Sequence, residues 1–304
     1  MTRRVFQSCL AAVPFYTSCS AAGTKLGPEV LAWERHLQLA ILNPFWGDGA
    51  VSLRREALGR LNLPGYFTDL AVSPYAERVA WLVLDQAMVS TFDGNVSANA
   101  LLPVGNGYSN LAINAKATRM VVKATRNYHC RVLLLQQDEM ILDLTDLLGR
   151  IKPETIEDLQ FDADGKLLRI STRDAISVLE LKSRSTIFEC RGSSSSMDPN
   201  GRQLAFLEGH RLILRNLQDG KSRHLNLDGR VWGVGAWSPD SQFLLAGTTG
   251  QFEFERRVTL IDVSRARRVQ LDINLDEGDY GNRCRWIKRA LISTRPSHQI
   301  DQNQ

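Results

Sequence analysis

The sequence predicts an all-β fold, a β-propeller, and three observations lead there. A short phrase recurs: two or three apolar residues, a Ser/Asp-Pro-Asp/Asn-Gly-like turn, then another apolar run. It is clearest at Ala236-Trp237-Ser238-Pro239-Asp240-Ser241-Gln242-Phe243-Leu244-Leu245, and again at Met197-Asp198-Pro199-Asn200-Gly201 and Leu70-Ala71-Val72-Ser73-Pro74. Weaker copies surround Asp162-Ala163-Asp164-Gly165 and Asn114-Ala115-Lys116-Ala117. The anchors Ser73, Asn114, Asp162, Asp198 and Ser238 stand 41, 48, 36 and 40 residues apart. Each interval is filled with short apolar runs, and a strand-filled period near forty is the signature of propeller blades.

Each repeat follows one plan, read most easily at 193–228. Ser194–Met197 is a first strand, Gln203–Leu207 a second, His210–Arg215 a third and Ser222–Leu227 a fourth. Glu208-Gly209 and Leu217-Gln218-Asp219-Gly220 are the turns, the latter tolerant of positive φ. Within the phrase, proline presets φ at the first corner. Asp or Ser can bond backbone two residues on, and glycine takes the left-handed position. Ala115-Lys116-Ala117 lacks that chemistry, so the turn of the second repeat is the least secure.

Five full repeats span roughly 66–272, and a sixth begins at Arg285–Thr294 as two short strands without an outer pair. The strand-like segment Ala50–Leu58 is the donor that would complete it and cover its edge. The expectation is therefore six four-stranded blades, the ring closed by an N-terminal strand completing the C-terminal blade. Seven blades is the alternative, if 26–58 forms a blade of its own. Glu29–Leu42 reads equally as a short helix or, through His36-Leu37-Gln38-Leu39, as a strand.

The N-terminus reads differently. Thr2-Arg3-Arg4 precedes a mostly apolar Val5–Tyr16 and small residues to Gly23, the order of a secretory signal. Ser20-Ala21-Ala22 offers one cleavage site. Tyr16-Thr17-Ser18-Cys19 offers another, in which Cys19 would be lipidated. The expected divisions are a signal over 1–22, an N-terminal segment with the ring-closing strand over 23–65, blades over 66–295 and a flexible tail over 296–304. Export to the periplasm follows, with a lipid anchor as one variant and a cytoplasmic location as the alternative.

The bulk composition excludes little. Of the residues 43% are apolar and 23% charged, and a net charge of +4 without basic blocks gives no reason to expect nucleic acid. Cys130, Cys190 and Cys284 are widely spaced and each lies beside strand-like sequence, as buried small hydrophobes do.

Chemistry-bearing patterns are sparse. Gly192-Ser193-Ser194-Ser195-Ser196 is no nucleophile elbow and falls where an inner strand crowds the axis. The histidines His36, His129, His210, His224 and His298 show no metal-site spacing, so neither metal nor cofactor is expected. Gly105-Asn106-Gly107 lacks the lysine and helix of a phosphate loop.

The turn phrase resembles the repeat of TolB-like propellers and of prolyl-oligopeptidase propeller domains, with Ser238-Pro239-Asp240 and Asp198-Pro199-Asn200-Gly201 the strongest matches. The resemblance implies an exported propeller serving as an interaction platform. It carries over no catalytic residue, because the shared feature is a turn and no hydrolase domain follows.

Propeller geometry selects the candidate site. Loops entering each first strand, and loops joining second to third strands, gather on one face around the channel. They carry Tyr66, Asp69, Tyr108, Asn110, Arg126, His129, Asp158, Trp232, Tyr280 and Arg283. Aromatic residues with mixed charge suit a protein or peptide partner. The expected function is a non-catalytic, exported binding scaffold. The alternatives are a lactonase- or lyase-type propeller enzyme with a site assembled across blades, and a glycan or small-molecule receptor.

Overall fold

In the computed structural model, the described residues are 37–41, 49–51, 57–60, 69–75, 78–91, 96–136, 141–227, 230–249, 256–274 and 284–288. The first strands are β1 (Leu37–Ile41), β2 (Gly49–Val51) and β3 (Ala57–Arg60). The first blade follows as β4 (Asp69–Val72), β5 (Arg78–Val83), β6 (Gln86–Thr91) and β7 (Val96–Leu101). The second is β8 (Gly107–Ile113), β9 (Arg119–Arg126), β10 (His129–Gln136) and β11 (Ile141–Asp143). Two short 3-10 helices, Thr145–Leu148 and Pro153–Thr155, lead to β12 (Ile156–Phe161), β13 (Leu167–Thr172), β14 (Ala175–Glu180) and β15 (Ser185–Arg191). The fourth blade is β16 (Ser193–Met197), β17 (Gln203–Glu208), β18 (Arg211–Asn216) and β19 (Ser222–Leu225). The fifth is β20 (Val231–Trp237), β21 (Phe243–Thr249), β22 (Arg256–Asp262) and β23 (Arg267–Asn274), with β24 (Cys284–Lys288) beyond it.

The count of blades needs correction. Five sheets are blades of four consecutive antiparallel strands, in place of the six or seven expected. The remaining strands form a composite sheet of order β24-β1-β2-β3, with β24 beside β20 and β4. Closure therefore differs from expectation: three N-terminal strands pair with one C-terminal strand, not one with two. The strand expected over 50–58 is split into β2 and β3, and Leu37–Ile41 is a strand, not part of a helix. The signal, Cys19 and the tail lie outside the described residues.

The core lies between blades. One cluster joins the first and second blades through Leu82, Val89, Ile113, Val122 and Leu135. Others join the second to the third, the third to the fourth, and the fourth to the fifth. Strands two and three of a blade are covered on both faces, which explains why Val79–Leu82 and Leu204–Leu207 are unbroken apolar runs. Outer strands such as β15 alternate between exposed and half-buried residues.

The turn phrase forms one structure in every blade. The anchor side chain accepts a hydrogen bond from the backbone N–H five residues on, not two. Arg78 N donates to Ser73 Oγ (3.0 Å), Arg119 N to Asn114 Oδ1 (3.1 Å) and Leu167 N to Asp162 Oδ1 (2.9 Å). Gln203 N donates to Asp198 Oδ1 (2.7 Å) and Phe243 N to Ser238 Oγ (2.8 Å). All five anchors are buried. Three residues past the anchor the backbone is left-handed, at Ala117 (φ 55°), Gly165 (69°), Gly201 (66°) and Ser241 (61°). The second turn forms despite its degenerate sequence, because Asn114 supplies the acceptor and Ala117 tolerates positive φ at a cost.

Candidate binding channel

Strand pairing separates the two ends of the ring. Asp69 pairs with Leu82, Gly107 with Thr125, Ile156 with Thr172, Ser193 with Leu207 and Val231 with Thr248. The starts of the inner strands therefore share one end with the β5–β6, β9–β10, β13–β14 and β17–β18 hairpin tips. The Pro/Asp/Gly turns lie at the other end.

The inner strands surround a cavity of about 300 Å³ on the ring axis. Its wall includes Asp69, Asn110, Glu157, Asp158, Arg169 and Ser195, with Pro74 and Pro199 toward the turn end. There Tyr75 Oη of the first blade lies 3.5 Å from Asn200 Oδ1 of the fourth.

Toward the mouth, ladder pairing slips in four inner strands: between Ser109 and Ala112, Ile156 and Asp158, Ser193 and Ser195, and Val231 and Gly233. Bulges of this kind re-aim side chains, and Asn110 (φ 54°) and Ser194 (φ 43°) sit in two of them. Polar residues in and beside these bulges reach the next blade. Asp69 accepts from Leu70 N and from Leu111 N, each at 2.8 Å. Asn110 Nδ2 donates to Glu157 O (2.5 Å), and Lys123 Nζ to Ile156 O (2.8 Å). Val234 N donates to Ser194 Oγ (2.7 Å).

Arg169 is the most unusual wall residue. It is 1% exposed, stands between Leu168 and Ile170 on β13, and lies across the gap between β12 and β16. Its Nη2 pairs with Asp158 Oδ2 and its Nη1 donates to Ser195 Oγ at 3.3 Å. Deeper in, the Gln160 carboxamide bonds both Met197 N (2.8 Å) and Met197 O (2.7 Å), standing in for a paired strand. Asp69 has its carboxyl raised above the usual aspartate range, chiefly by burial and further by Asp158, against the lowering by its backbone donors.

The sequence-derived candidates divide into groups. Asp69, Asn110 and Asp158 meet on the channel wall. Tyr108 is buried: its Oη donates to Pro103 O (2.5 Å), making it a pin for the 103–106 loop. Arg126 and His129 are exposed on the β9–β10 hairpin. Trp232 is half-buried with its indole against Gly247, as a packing residue would be. Tyr66, Tyr280 and Arg283 lie outside the described residues. Arg169 and Gln160 are absent from the sequence-derived candidates, and Ser195 lies in the serine run read there as crowded inner strand. Arg169 carried a signal, a charge in the middle of the apolar run Leu167-Leu168-Arg169-Ile170.

Cys130 and Cys190 are free thiols, and burial pushes the Cys190 thiol up to about 11. No described helix is long and apolar enough to cross a membrane.

No family model matches the chain, and no curated protein does. Solved structures do. TolB from Acinetobacter baumannii superposes with a TM-score of 0.55 at 12% identity, over 83% of this chain and 66% of that one. A candidate TolB from Agrobacterium tumefaciens gives 0.56 at 13%, over 83% and 98%. A protein of unknown function from Bacteroides caccae gives 0.54 at 14%, over 81% and 96%. The chain spans just under two thirds of the A. baumannii protein. The structural neighbours of this chain are TolB-like β-propeller proteins, and at these identities what it shares with them is the fold.

Proposed function

We propose that the protein is a non-catalytic, exported scaffold that holds a protein or peptide on the channel-mouth face. One observation carries this reading. The two ends of the inner strands are used differently: the turn end repeats one buried hydrogen-bond pattern, whereas the mouth end gathers Asp69, Asn110, Glu157, Asp158 and Arg169 around an open channel. Rigidly held, non-repeating polar groups beside a cavity are what recognition needs. The fold likeness to TolB and the signal-like N-terminus support export and a protein partner.

Asp69 favours the enzyme alternative, since a carboxyl with a raised pKa beside Asp158 resembles an acid/base group. Both of its oxygens are already held by backbone N–H groups of two blades, so it acts as a strut.

The test places a photo-crosslinking residue at Glu157, on the mouth, and at Glu189, on the outer strand β15, in cells producing the full chain. A polypeptide captured at 157 and not at 189 supports the reading. Equal capture, or none at either site, overturns it. Cell fractionation tests export: protein confined to the cytoplasm removes that part.

A further inference from the structure

Three hairpin tips on the mouth face are two-residue turns that need positive φ, and the blades differ in the residue that takes that position. The β17–β18 tip uses Gly209 at φ 63°, as a left-handed position favours. The β5–β6 tip uses Leu84 at φ 54°, and the β9–β10 tip uses Asn127 at 48° and Tyr128 at 65°. Large side chains at positive φ are strained. Here the strain secures no packing, because Leu84 is 81% exposed and Tyr128 fully exposed.

The connection from β7 to β8 adds two more apolar groups. Leu101 is 70% exposed and Val104 78%. They sit beside Leu84: Leu101 pairs with Gln86, and Leu102 N donates to Asp85 O at 2.8 Å. This loop is held in place, since Pro103 O accepts from both Tyr108 Oη (2.5 Å) and Asn106 Nδ2 (2.8 Å). Thus four of the large exposed apolar residues crown the mouth end of the first two blades. The Tyr128 hairpin also carries exposed Arg126 and Arg131, the latter with Asp143 at 3.8 Å. Exposed left-handed residues also occur at the turn end, at Arg184 and Ala266, so the grouping of large apolar side chains, more than the strain, singles out this surface.

We propose that this crown of Leu84, Leu101, Val104 and Tyr128 is a docking surface for a polypeptide segment in which apolar side chains alternate with carboxylates. The apolar groups seat on the crown, and the carboxylates face Arg126 and Arg131. An anionic membrane fits less well, because the two arginines of this hairpin, one of them beside Asp143, fall short of the basic cluster that anionic lipid headgroups need. The inference rests on the mouth face being the binding face, and adds where on it the partner lies and what chemistry it presents.

The experiment uses the full chain against synthetic peptides of Leu or Phe interspersed with Glu, the same peptides with Lys for Glu, and phosphatidylcholine vesicles with and without phosphatidylglycerol. The variants are Leu84→Asn/Val104→Ser/Tyr128→Asn combined, Arg126→Glu, and Glu157→Trp at the channel. Expected is binding of the acidic peptides over the basic ones, weakened at least tenfold by the triple variant. Arg126→Glu should shrink the preference for acidic peptides. The melting temperature of the triple variant should hold or rise by about 2 °C, because asparagine tolerates positive φ better. Equal binding of acidic and basic peptides overturns the proposal, as does unchanged binding by the triple variant. Vesicle recruitment lost in that variant also overturns it, assigning the crown to lipid. Peptide binding lost only with Glu157→Trp overturns the crown and leaves the channel reading standing.

Discussion

At the turn end, five blades solve one problem five times. A buried anchor accepts the N–H five residues on, and where the following turn is described, a left-handed residue lies three positions after the anchor. That residue also abuts the preceding blade. A Cβ on Gly165 would lie 3.1 Å from Asn114 Cβ, one on Gly201 would lie 3.2 Å from Asp162 Cβ, and Ser241 Oγ donates to Asp198 Oδ2 at 2.9 Å. At the mouth end the links between blades use an aspartate, an asparagine, an arginine and a serine, each differently. Uniform chemistry belongs to the scaffold. Non-repeating chemistry on the same strands is free to serve a ligand.

The sharpest way to break this contrast is at Asp198. It is 1% exposed and accepts from Arg202 N and Gln203 N at 2.7 Å each, as well as from Ser241 Oγ. Asp198→Ala leaves these donors unmet, and the expected loss is about 4 kcal/mol in urea unfolding. Asp198→Asn keeps the Oδ1 acceptor and should lose about 1 kcal/mol. A loss below about 1 kcal/mol for the alanine variant would mean that backbone bonds alone hold the turn.

Next comes Gly247, opposite Gly233 on β21. A Cβ there would lie 2.6 Å from the Trp232 ring. Gly247→Ala should cost about 2 kcal/mol through overpacking. Trp232→Ala in the same chain should recover most of that cost, since it removes the ring. Failure to recover it would place the clash elsewhere.

Much of the scaffold was legible because the turn is local: its anchor, left-handed position and second strand lie within ten residues. The second repeat shows the limit. Ala115-Lys116-Ala117 looks unfit for the turn, yet Asn114 retains the acceptor, and cross-blade packing overrides the propensity of Ala117. Ring closure was less legible, since β1 pairs with β24 across most of the chain, a contact no local pattern announces. The candidate site was half legible. Asp69, Asn110 and Asp158 follow from position in the repeat. Arg169 reaches the channel from a second strand, where the repeat plan places core. The crown was illegible for the opposite reason, because local turn chemistry argues against Leu84 and Tyr128 at the positions they occupy.

The mouth should also respond to pH where its strut titrates. Burial raises the Asp69 carboxyl above its unfolded value, so the folded protein binds this proton more tightly. The contribution is fully present below the ordinary aspartate value and lost as pH rises through the folded one. Asp69→Asn removes that titration and turns one acceptor into a donor facing a backbone N–H, at about 1–2 kcal/mol. The stability advantage of the wild type over this variant should therefore shrink as pH rises from about 4. An advantage that grows over the same range would show that the backbone donors outweigh desolvation.

The smallest effect returns to the turn end, where the left-handed position can be altered in both directions. Ala117→Gly restores the residue the turn favours. Relief of the left-handed alanine is about 1 kcal/mol, offset in part by the greater freedom of glycine in the unfolded chain. The net expectation is a gain of about 0.5 kcal/mol. Gly165→Ala should do the reverse and more, about 1–2 kcal/mol, because a left-handed alanine there also meets Asn114 and the Arg119 stem at 3.1 Å. Paired urea titrations of the two variants measure both. If both substitutions destabilise, the second turn is tuned to alanine by its neighbours, and the uniformity of the turn end stops at the backbone.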